Sequence, residues 1–71
     1  MPILKTRIHE LRKEHNMQQA ELAKLVDVRG ETIGNLENGK YNPSLKLAMD
    51  IAKIFDATVE DIFTFEDSDD E

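Results

Sequence analysis

The amino-acid sequence predicts an all-α domain of five short helices, on three observations. Apolar residues recur three and four positions apart through most of residues 1–65, which is the spacing of one helix face. Residues that favour helix starts or ends, such as Asn16, Ser44 and Thr58, separate these periodic segments. There is no cysteine and there are only two histidines, so neither disulfides nor a structural zinc site is expected to stabilise the fold.

The first helix is predicted over Lys5–His15. Ile8 and Leu11 lie three residues apart in KTRIHELRKEH, with Leu4 one turn earlier, and charged residues occupy the other positions. Asn16 is suited to end this helix, because asparagine tolerates the left-handed conformation that often follows a helix.

A second, shorter helix is predicted from Gln19 to about Val26. Met17 and Leu22 occupy the two positions of a hydrophobic staple, and Glu21 stands where a capping box places its acid. Gln18 is a weak N-cap residue by comparison with serine or aspartate.

The third helix is predicted from Gly30 to Glu37 or Asn38, with Ile33 and Leu36 facing inwards. The letters GNLENGKY, residues 34–41, raise two competing interpretations. A phosphate-binding P-loop would need a buried strand before its first glycine and a Ser or Thr after the lysine, and RGETI and Tyr41 supply neither. A hairpin turn at Asn-Gly would need alternating flanks. We therefore expect Gly39 to end the third helix in the left-handed conformation.

The fourth helix is predicted in SLKLAMDIAKIF, with Ser44 as its N-cap. Its apolar stripe comprises positions 45, 48, 51, 52 and 55, widened by Leu47 and Ile54. Thr58 begins TVED, a start signal for a short fifth helix that Ile62 and Phe63 anchor. The segment IFTF is equally compatible with a brief strand, paired with PIL near the N-terminus.

Charge divides the chain into a domain, residues 1–65, and an acidic tail, residues 66–71. The tail holds five of the fifteen acids and no base, so the formal net charge of −6 falls to −1 without it. Charge runs of this kind are usually solvated, and we expect the tail to be disordered. With no apolar run of membrane-spanning length and no export signal, the expected location is cytoplasmic and no membrane partner is expected.

Residues 19–38, QAELAKLVDVRGETIGNLEN, have the spacing of two helices joined by a tight turn. QAELA, TI and LENGK, followed by YNPSL and an apolar helix, resemble in this order the Cro and phage-repressor class of helix-turn-helix transcriptional regulators. The resemblance covers residues 5–63. It implies a lambda-repressor-like domain of five helices that binds double-stranded DNA at a palindromic operator, as a homodimeric repressor whose third helix enters the major groove.

The resemblance also assigns candidate residues. Those expected to read base edges from the third helix are Arg29, Gly30, Glu31, Thr32 and Asn35. Those expected to contact phosphates are Gln18, Gln19, Asn38, Lys40, Tyr41 and Ser44. Arg12 and Glu37 correspond to a buried ion pair of the family. Excess apolar residues at Ile54, Phe63 and Phe65 are expected to form the dimer interface.

Three positions depart from the family pattern. Asp27 stands where the turn usually has glycine, Arg29 replaces a Ser or Thr N-cap, and Gly30 offers no side chain to a base. An alternative is a protein-binding or antitoxin-like module with the same fold, which the apolar IFTF and the acidic tail favour. No arrangement of residues predicts an enzyme, a cofactor, a metal or a small-molecule ligand.

Overall fold

Five helices and a two-stranded antiparallel sheet make up the part of the chain that the computed structural model describes, residues 2–40 and 42–67. In chain order the elements are β1 (Pro2–Thr6), α1 (Ile8–Glu14), α2 (Gln19–Leu25), α3 (Gly30–Glu37), α4 (Leu45–Ile54), α5 (Val59–Ile62) and β2 (Phe63–Asp67). The five predicted helices are thus confirmed. The alternative of a strand in IFTF paired with PIL is confirmed for residues 63–65, whereas Ile62 is the last residue of α5.

The predicted start of the first helix at Lys5 is wrong, because residues 2–6 form β1. This strand pairs antiparallel with β2, with Leu4 opposite Phe65 and Thr6 opposite Phe63. The backbone N–H of Arg7 then donates to the carbonyl of Ile62 at 3.0 Å, which ties the start of α1 to the end of α5. The first and last elements of the described chain are therefore joined by backbone hydrogen bonds.

The strand β2 includes the first two residues of the acidic segment. β2 runs to Asp67, so Glu66 and Asp67 belong to the sheet, whereas we expected the tail to begin at residue 66. Residues 68–71 lie outside the described residues.

Left-handed residues end the helices where the sequence indicated. Asn16 follows α1 with φ 53°, Asp27 follows α2 with φ 60°, and Gly39 follows α3 with φ 69°. Asp56 adopts the same left-handed conformation after α4, with φ 54°. Asn and Asp adopt this conformation more readily than other residues that carry a Cβ atom, so four short turns are specified by local sequence.

Capping side chains fix the starts of the last two helices. The Ser44 hydroxyl accepts a hydrogen bond from the Leu47 N–H at 3.1 Å. The Thr58 hydroxyl accepts from the Asp61 N–H at 3.1 Å, and the Asp61 carboxylate accepts from the Thr58 N–H at 3.2 Å. Each such cap contributes about 1 kcal/mol. The start signals read from SLKL and TVED are confirmed.

The core collects one apolar face from every helix. Its most completely buried side chains are Ile8, Leu22, Ile33, Leu36, Ile51 and Ile62. Leu45 does not join them, contrary to the predicted stripe, because it is 72% exposed at the start of α4. Leu47 is buried in the first turn instead.

Gly39 meets two requirements that no other residue satisfies without strain. Its φ is positive, and a Cβ atom built on it would lie only 2.6 Å from the carbonyl oxygen of Leu4. The glycine therefore lets the end of α3 approach β1. Gly30 is different, since a Cβ atom there would meet nothing within 4 Å.

We predict that Gly39→Ala lowers the free energy of unfolding by about 1–2 kcal/mol or more, from the left-handed backbone alone. Gly30→Ala is the matched control. It should raise the free energy of unfolding by up to about 1 kcal/mol, because alanine favours the helix and nothing obstructs it. Urea unfolding of both variants measures the difference. Equal effects of the two substitutions would contradict the left-handed conformation of Gly39.

Candidate nucleic-acid interface

Two helices and a tight turn form the candidate interface. α2 ends at Leu25, Asp27 takes the left-handed conformation, and α3 begins at Gly30. Within the turn, the Val28 N–H donates to the carbonyl of Ala23 at 2.9 Å. Ala23 is buried, and its small side chain lets the helices lie close together.

The outer face of α3 presents Gly30, Glu31, Thr32 and Asn35, hereafter the exposed strip. Glu31 is exposed, while Gly30, Thr32 and Asn35 are partly exposed, and only Ile33 turns fully into the core. Nothing lies within 4 Å of a Cβ atom built on Gly30. These four positions are therefore accessible to solvent.

Arg29 stands at the N-cap position of α3 with an extended backbone. Its side chain makes no capping hydrogen bond, and it is exposed. The Thr32 N–H donates to the Arg29 carbonyl at 3.0 Å. The guanidinium and the N–H groups of Gly30 and Glu31 are therefore the donors beside the exposed strip.

The far end of the exposed strip carries the other polar candidates. Asn38 and Lys40 are exposed, and the Lys40 N–H donates to the carbonyl of Asn35 at 2.8 Å. Ser44 is exposed at the start of α4, with its hydroxyl still free to donate. Tyr41 lies outside the described residues. A cationic side chain thus lies at each end of α3, Arg29 before its first residue and Lys40 after its last.

Gln19 does not simply project from α2. Its Nε2 donates to Glu37 Oε1 at 3.0 Å, so its side chain crosses the face of α3. It passes over Gly34, where a Cβ atom would lie 3.6 Å from both terminal atoms of the amide. The signal for this contact in the sequence is a glycine in the middle of a helix, Gly34.

Arg12 and Glu37 meet through two parallel hydrogen bonds. Arg12 Nε donates to Glu37 Oε2 at 2.6 Å, and Arg12 Nη2 donates to Glu37 Oε1 at 3.1 Å. Both side chains are 8% exposed. Arg12 Nη1 also donates to the carbonyl of Met17 at 2.9 Å. The pair therefore joins α1 to the end of α3 and holds the loop that leads into α2.

His9 adds a member to this cluster that sequence reasoning placed at the surface. It is largely exposed, yet its Nδ1 lies 3.1 Å from Arg12 Nη2 and 3.7 Å from Glu37 Oε1. Arg12 can only donate, so Nδ1 must accept this hydrogen bond, which fixes the proton of a neutral ring on Nε2.

The pKa of Glu37 reflects opposing causes. Burial alone would raise the pKa of the carboxyl, because it penalises the charged form. Hydrogen bonds from Arg12 and Gln19, with Coulombic attraction to Arg12, outweigh burial and hold the pKa of Glu37 below its ordinary value. The carboxylate is therefore charged at neutral pH, as the ion pair requires.

An apolar groove of about 290 Å³ lies on another side of the domain. Its apolar lining includes Leu4, Leu45, Phe63 and Phe65, of which Leu45 is 72% and Phe65 60% exposed. Ile54 is not part of it and instead packs partly buried against the core. Of the three expected interface residues, the structure thus brings together Phe63 and Phe65 and leaves Ile54 apart.

None of the helices within residues 2–40 and 42–67 has the length and apolar content needed to cross a membrane. No three His, Cys, Asp or Glu side chains in those ranges gather where they could hold a metal ion.

Comparisons with known proteins agree with this geometry. The family model described as helix-turn-helix matches residues 8–62. An uncharacterized HTH-type transcriptional regulator of Archaeoglobus fulgidus is 61% identical over 64 residues, which is 90% of each chain. Another, from Methanocaldococcus jannaschii, is 48% identical over 90% of this chain and 97% of its own. The P22 c2 repressor, solved with a synthetic operator, has a TM-score of 0.73 at 26% identity over 76% of this chain and 82% of that one.

We predict that Glu37→Gln lowers the free energy of unfolding at pH 7 by about 3–5 kcal/mol, because it leaves the buried Arg12 without its counter-ion. The folded-state pKa of Glu37 lies below its unfolded value. Its stabilisation is therefore complete above the ordinary Glu pKa and is lost as pH falls through the lowered one.

The measurement is urea unfolding of both proteins from pH 7 down to about 3, within the range where carboxylates titrate. The deficit of Glu37→Gln should shrink on acidification. Glu14→Gln, a change at an exposed position of α1, should stay within about 0.5 kcal/mol of the parent protein. A deficit that is the same at every pH would exclude an ionised Glu37.

Proposed function

The chain belongs to the helix-turn-helix family of DNA-binding transcriptional regulators, and from this premise we propose that it is a dimeric repressor of a palindromic operator. In this proposal α3 enters the major groove, and the protein acts in the cytoplasm without a cofactor. The observation that carries the proposal is the exposed strip, accessible to solvent and with a cation at each end of its helix.

Base recognition is assigned to the residues of the exposed strip and to Arg29. Asn35 can pair through its amide with the N6 and N7 atoms of adenine, and Glu31 can accept from the amino group of cytosine. Arg29 can donate to guanine. Thr32 suits either a base edge or a thymine methyl group. Gly30 has no side chain, and its role is to let the backbone approach closely.

Phosphate contacts are assigned to the flanks of the exposed strip. On one side are Asn38, Lys40, Tyr41 and Ser44, and on the other are Gln18 and Gln19. Gln19 keeps one Nε2 hydrogen for a phosphate while the other is bound to Glu37. Glu37 therefore orients the Gln19 amide before DNA arrives, which reduces the side-chain entropy lost on binding.

Dimerisation is assigned to the apolar groove at Phe63 and Phe65. A second copy is its expected occupant, because a palindromic operator requires two reading helices related by a twofold axis. Leu45 lies at the edge of this groove and next to Ser44, so the dimer surface is continuous with the phosphate contacts. Ile54, which packs on the core, contributes less than the sequence suggested.

Selection of bound sequences from random duplex DNA, at a stated salt concentration, tests the function. A palindromic motif whose half-sites are about one helical turn apart is expected. If no sequence is enriched, the same fold is better read as a protein-binding or antitoxin-like module, with the apolar groove as its contact surface.

We predict different effects for the two kinds of contact. Lys40→Ala should weaken binding to all sequences alike and reduce the salt slope of the affinity by about one. Asn35→Ala should cost about 1–3 kcal/mol on the selected sequence and relax preference at one base position. Titrations of the selected and a scrambled duplex measure both. Identical behaviour of the two variants would refute the division of roles.

We predict that Phe65→Asp dissociates the dimer, because it places a charge in the centre of an apolar interface. Sedimentation at micromolar concentration should show a monomer, with unchanged helix content by circular dichroism. Leu25→Asp is the matched control, since Leu25 is 58% exposed and does not line the groove. A parent protein that is already monomeric would exclude this interface.

A further inference from the structure

His9 connects a side chain that meets solvent to the buried ion pair that holds α3. Its Nδ1 lies 3.1 Å from Arg12 Nη2 and 3.7 Å from Glu37 Oε1. The ring is 64% exposed, whereas the side chains of Arg12 and Glu37 are each 8% exposed. Protons can therefore reach the ring without any opening of the core. Histidine is the side chain that ordinarily changes charge between about pH 5 and 8.

Groups from three helices surround this ring. Its own helix, α1, contributes the guanidinium of Arg12, and Lys13 lies one turn further along the same helix. The carboxylate of Glu37 comes from α3. From α2 comes the neutral amide of Gln19, which donates to that carboxylate. A proton on Nδ1 would therefore be repelled by two cations and attracted by one carboxylate.

Neutral and protonated rings require different hydrogen bonds. The neutral Nδ1 accepts from Arg12, but a protonated Nδ1 can only donate, and Glu37 Oε1 is 3.7 Å away. That oxygen already accepts from Arg12 Nη2 at 3.1 Å and from Gln19 Nε2 at 3.0 Å. A carboxylate oxygen has about two lone-pair sites. A third donor at Oε1 therefore displaces one of the two that are there.

Gln19 is the donor that gives way. Arg12 is held by two further bonds, from Nε to Glu37 Oε2 at 2.6 Å and from Nη1 to the Met17 carbonyl at 2.9 Å. Its bonds to Glu37 join two charged groups, which makes them stronger than a bond from a neutral amide. The side chain of Gln19 is exposed and reaches Glu37 through Nε2. Protonation of His9 thus releases the Gln19 amide and leaves the ion pair in place.

We propose that His9 is a pH-responsive positioning residue, whose protonation frees Gln19 and lowers the affinity of the domain for duplex DNA between about pH 7.5 and 5.5. This inference rests on the proposed DNA-binding function, in which Gln19 contacts a phosphate. A freed amide has to be ordered again when DNA binds, which costs affinity. The expected sign is opposite to that of charge alone, because added positive charge strengthens the attraction to phosphates.

The free protein shows whether Gln19 is released. Because its amide lies over Gly34, we expect a nuclear Overhauser contact between the Nε2 hydrogens and the Gly34 α-hydrogens at pH 7.5. This contact should disappear as the His9 ring titrates. In His9→Asn it should persist, since the Asn oxygen can accept from Arg12 near the position of Nδ1 and does not titrate. A contact that persists in the parent protein after His9 is protonated would overturn the proposal.

Duplex titrations at fixed salt measure the consequence for binding. Affinity of the full chain should fall ~2- to 10-fold for each bound protomer between about pH 7.5 and 5.5, where carboxylates stay ionised. His9→Asn should abolish this fall. His15→Gln is the matched control and should keep it, because the His15 ring packs against Phe55, with ring centroids 5.2 Å apart.

The outcomes separate this inference from the function on which it rests. If the parent protein binds no duplex at pH 7.5, the proposed function fails and the effect on affinity fails with it. If the parent protein binds at pH 7.5 and does not weaken on acidification, only the role of His9 is refuted. A fall of equal size in His9→Asn would refute that role as well.

Discussion

The ion pair between Arg12 and Glu37 is the interaction on which the geometry of the domain depends. One carboxylate, 8% exposed, accepts hydrogen bonds from the first helix through Arg12 and from the second through Gln19. It belongs to the last residue of the third. Because all three helices meet at this group, the angle of α3 is set by charge-assisted hydrogen bonds, which are stronger and more directional than apolar contacts alone.

A buried ion pair lowers stability unless each of its donors and acceptors has a hydrogen-bond partner. Moving two charges out of water carries a desolvation penalty, which is recovered only when geometry is good and the remaining donors are used. Here Arg12 also bonds the Met17 carbonyl and His9, so the cluster is nearly complete. This favours one orientation of α3 over others that would pack the same apolar residues equally well. In the proposed complex with DNA, α3 needs that orientation, because base contacts depend on the placement of the helix.

A protein of net charge −6 can still present a surface suited to DNA, because its charges are segregated. Five of its acids lie in residues 66–71. The described cations around α2 and α3 include Lys13, Arg29 and Lys40, and these side chains are exposed. Glu31 on the exposed strip works against phosphates, which favours selective contact with bases over general affinity. Local potential, and not net charge, steers a duplex to such a face.

Local sequence by itself determined most of the fold. Helical spacing of apolar residues, the caps at Ser44 and Thr58, and the left-handed positions at Asn16, Asp27 and Gly39 located all five helices, because these are interactions between residues a few positions apart. It also located the helix-turn-helix and the face that α3 exposes. The family resemblance, and not spacing, supplied the pairing of Arg12 with Glu37.

Tertiary structure decided what depends on distant residues. Pairing of β1 with β2 joins segments about sixty residues apart and removed Lys5 from the first helix, a choice that local propensity could not make. Leu45 is exposed although its spacing fitted the apolar stripe, because the first residue of α4 lies at the apolar groove beside Phe65. The bond from Gln19 to Glu37 exists only once α2 and α3 are packed together. Helix periodicity indicates which face of a helix is apolar, but only the packed structure determines which residues contact that face.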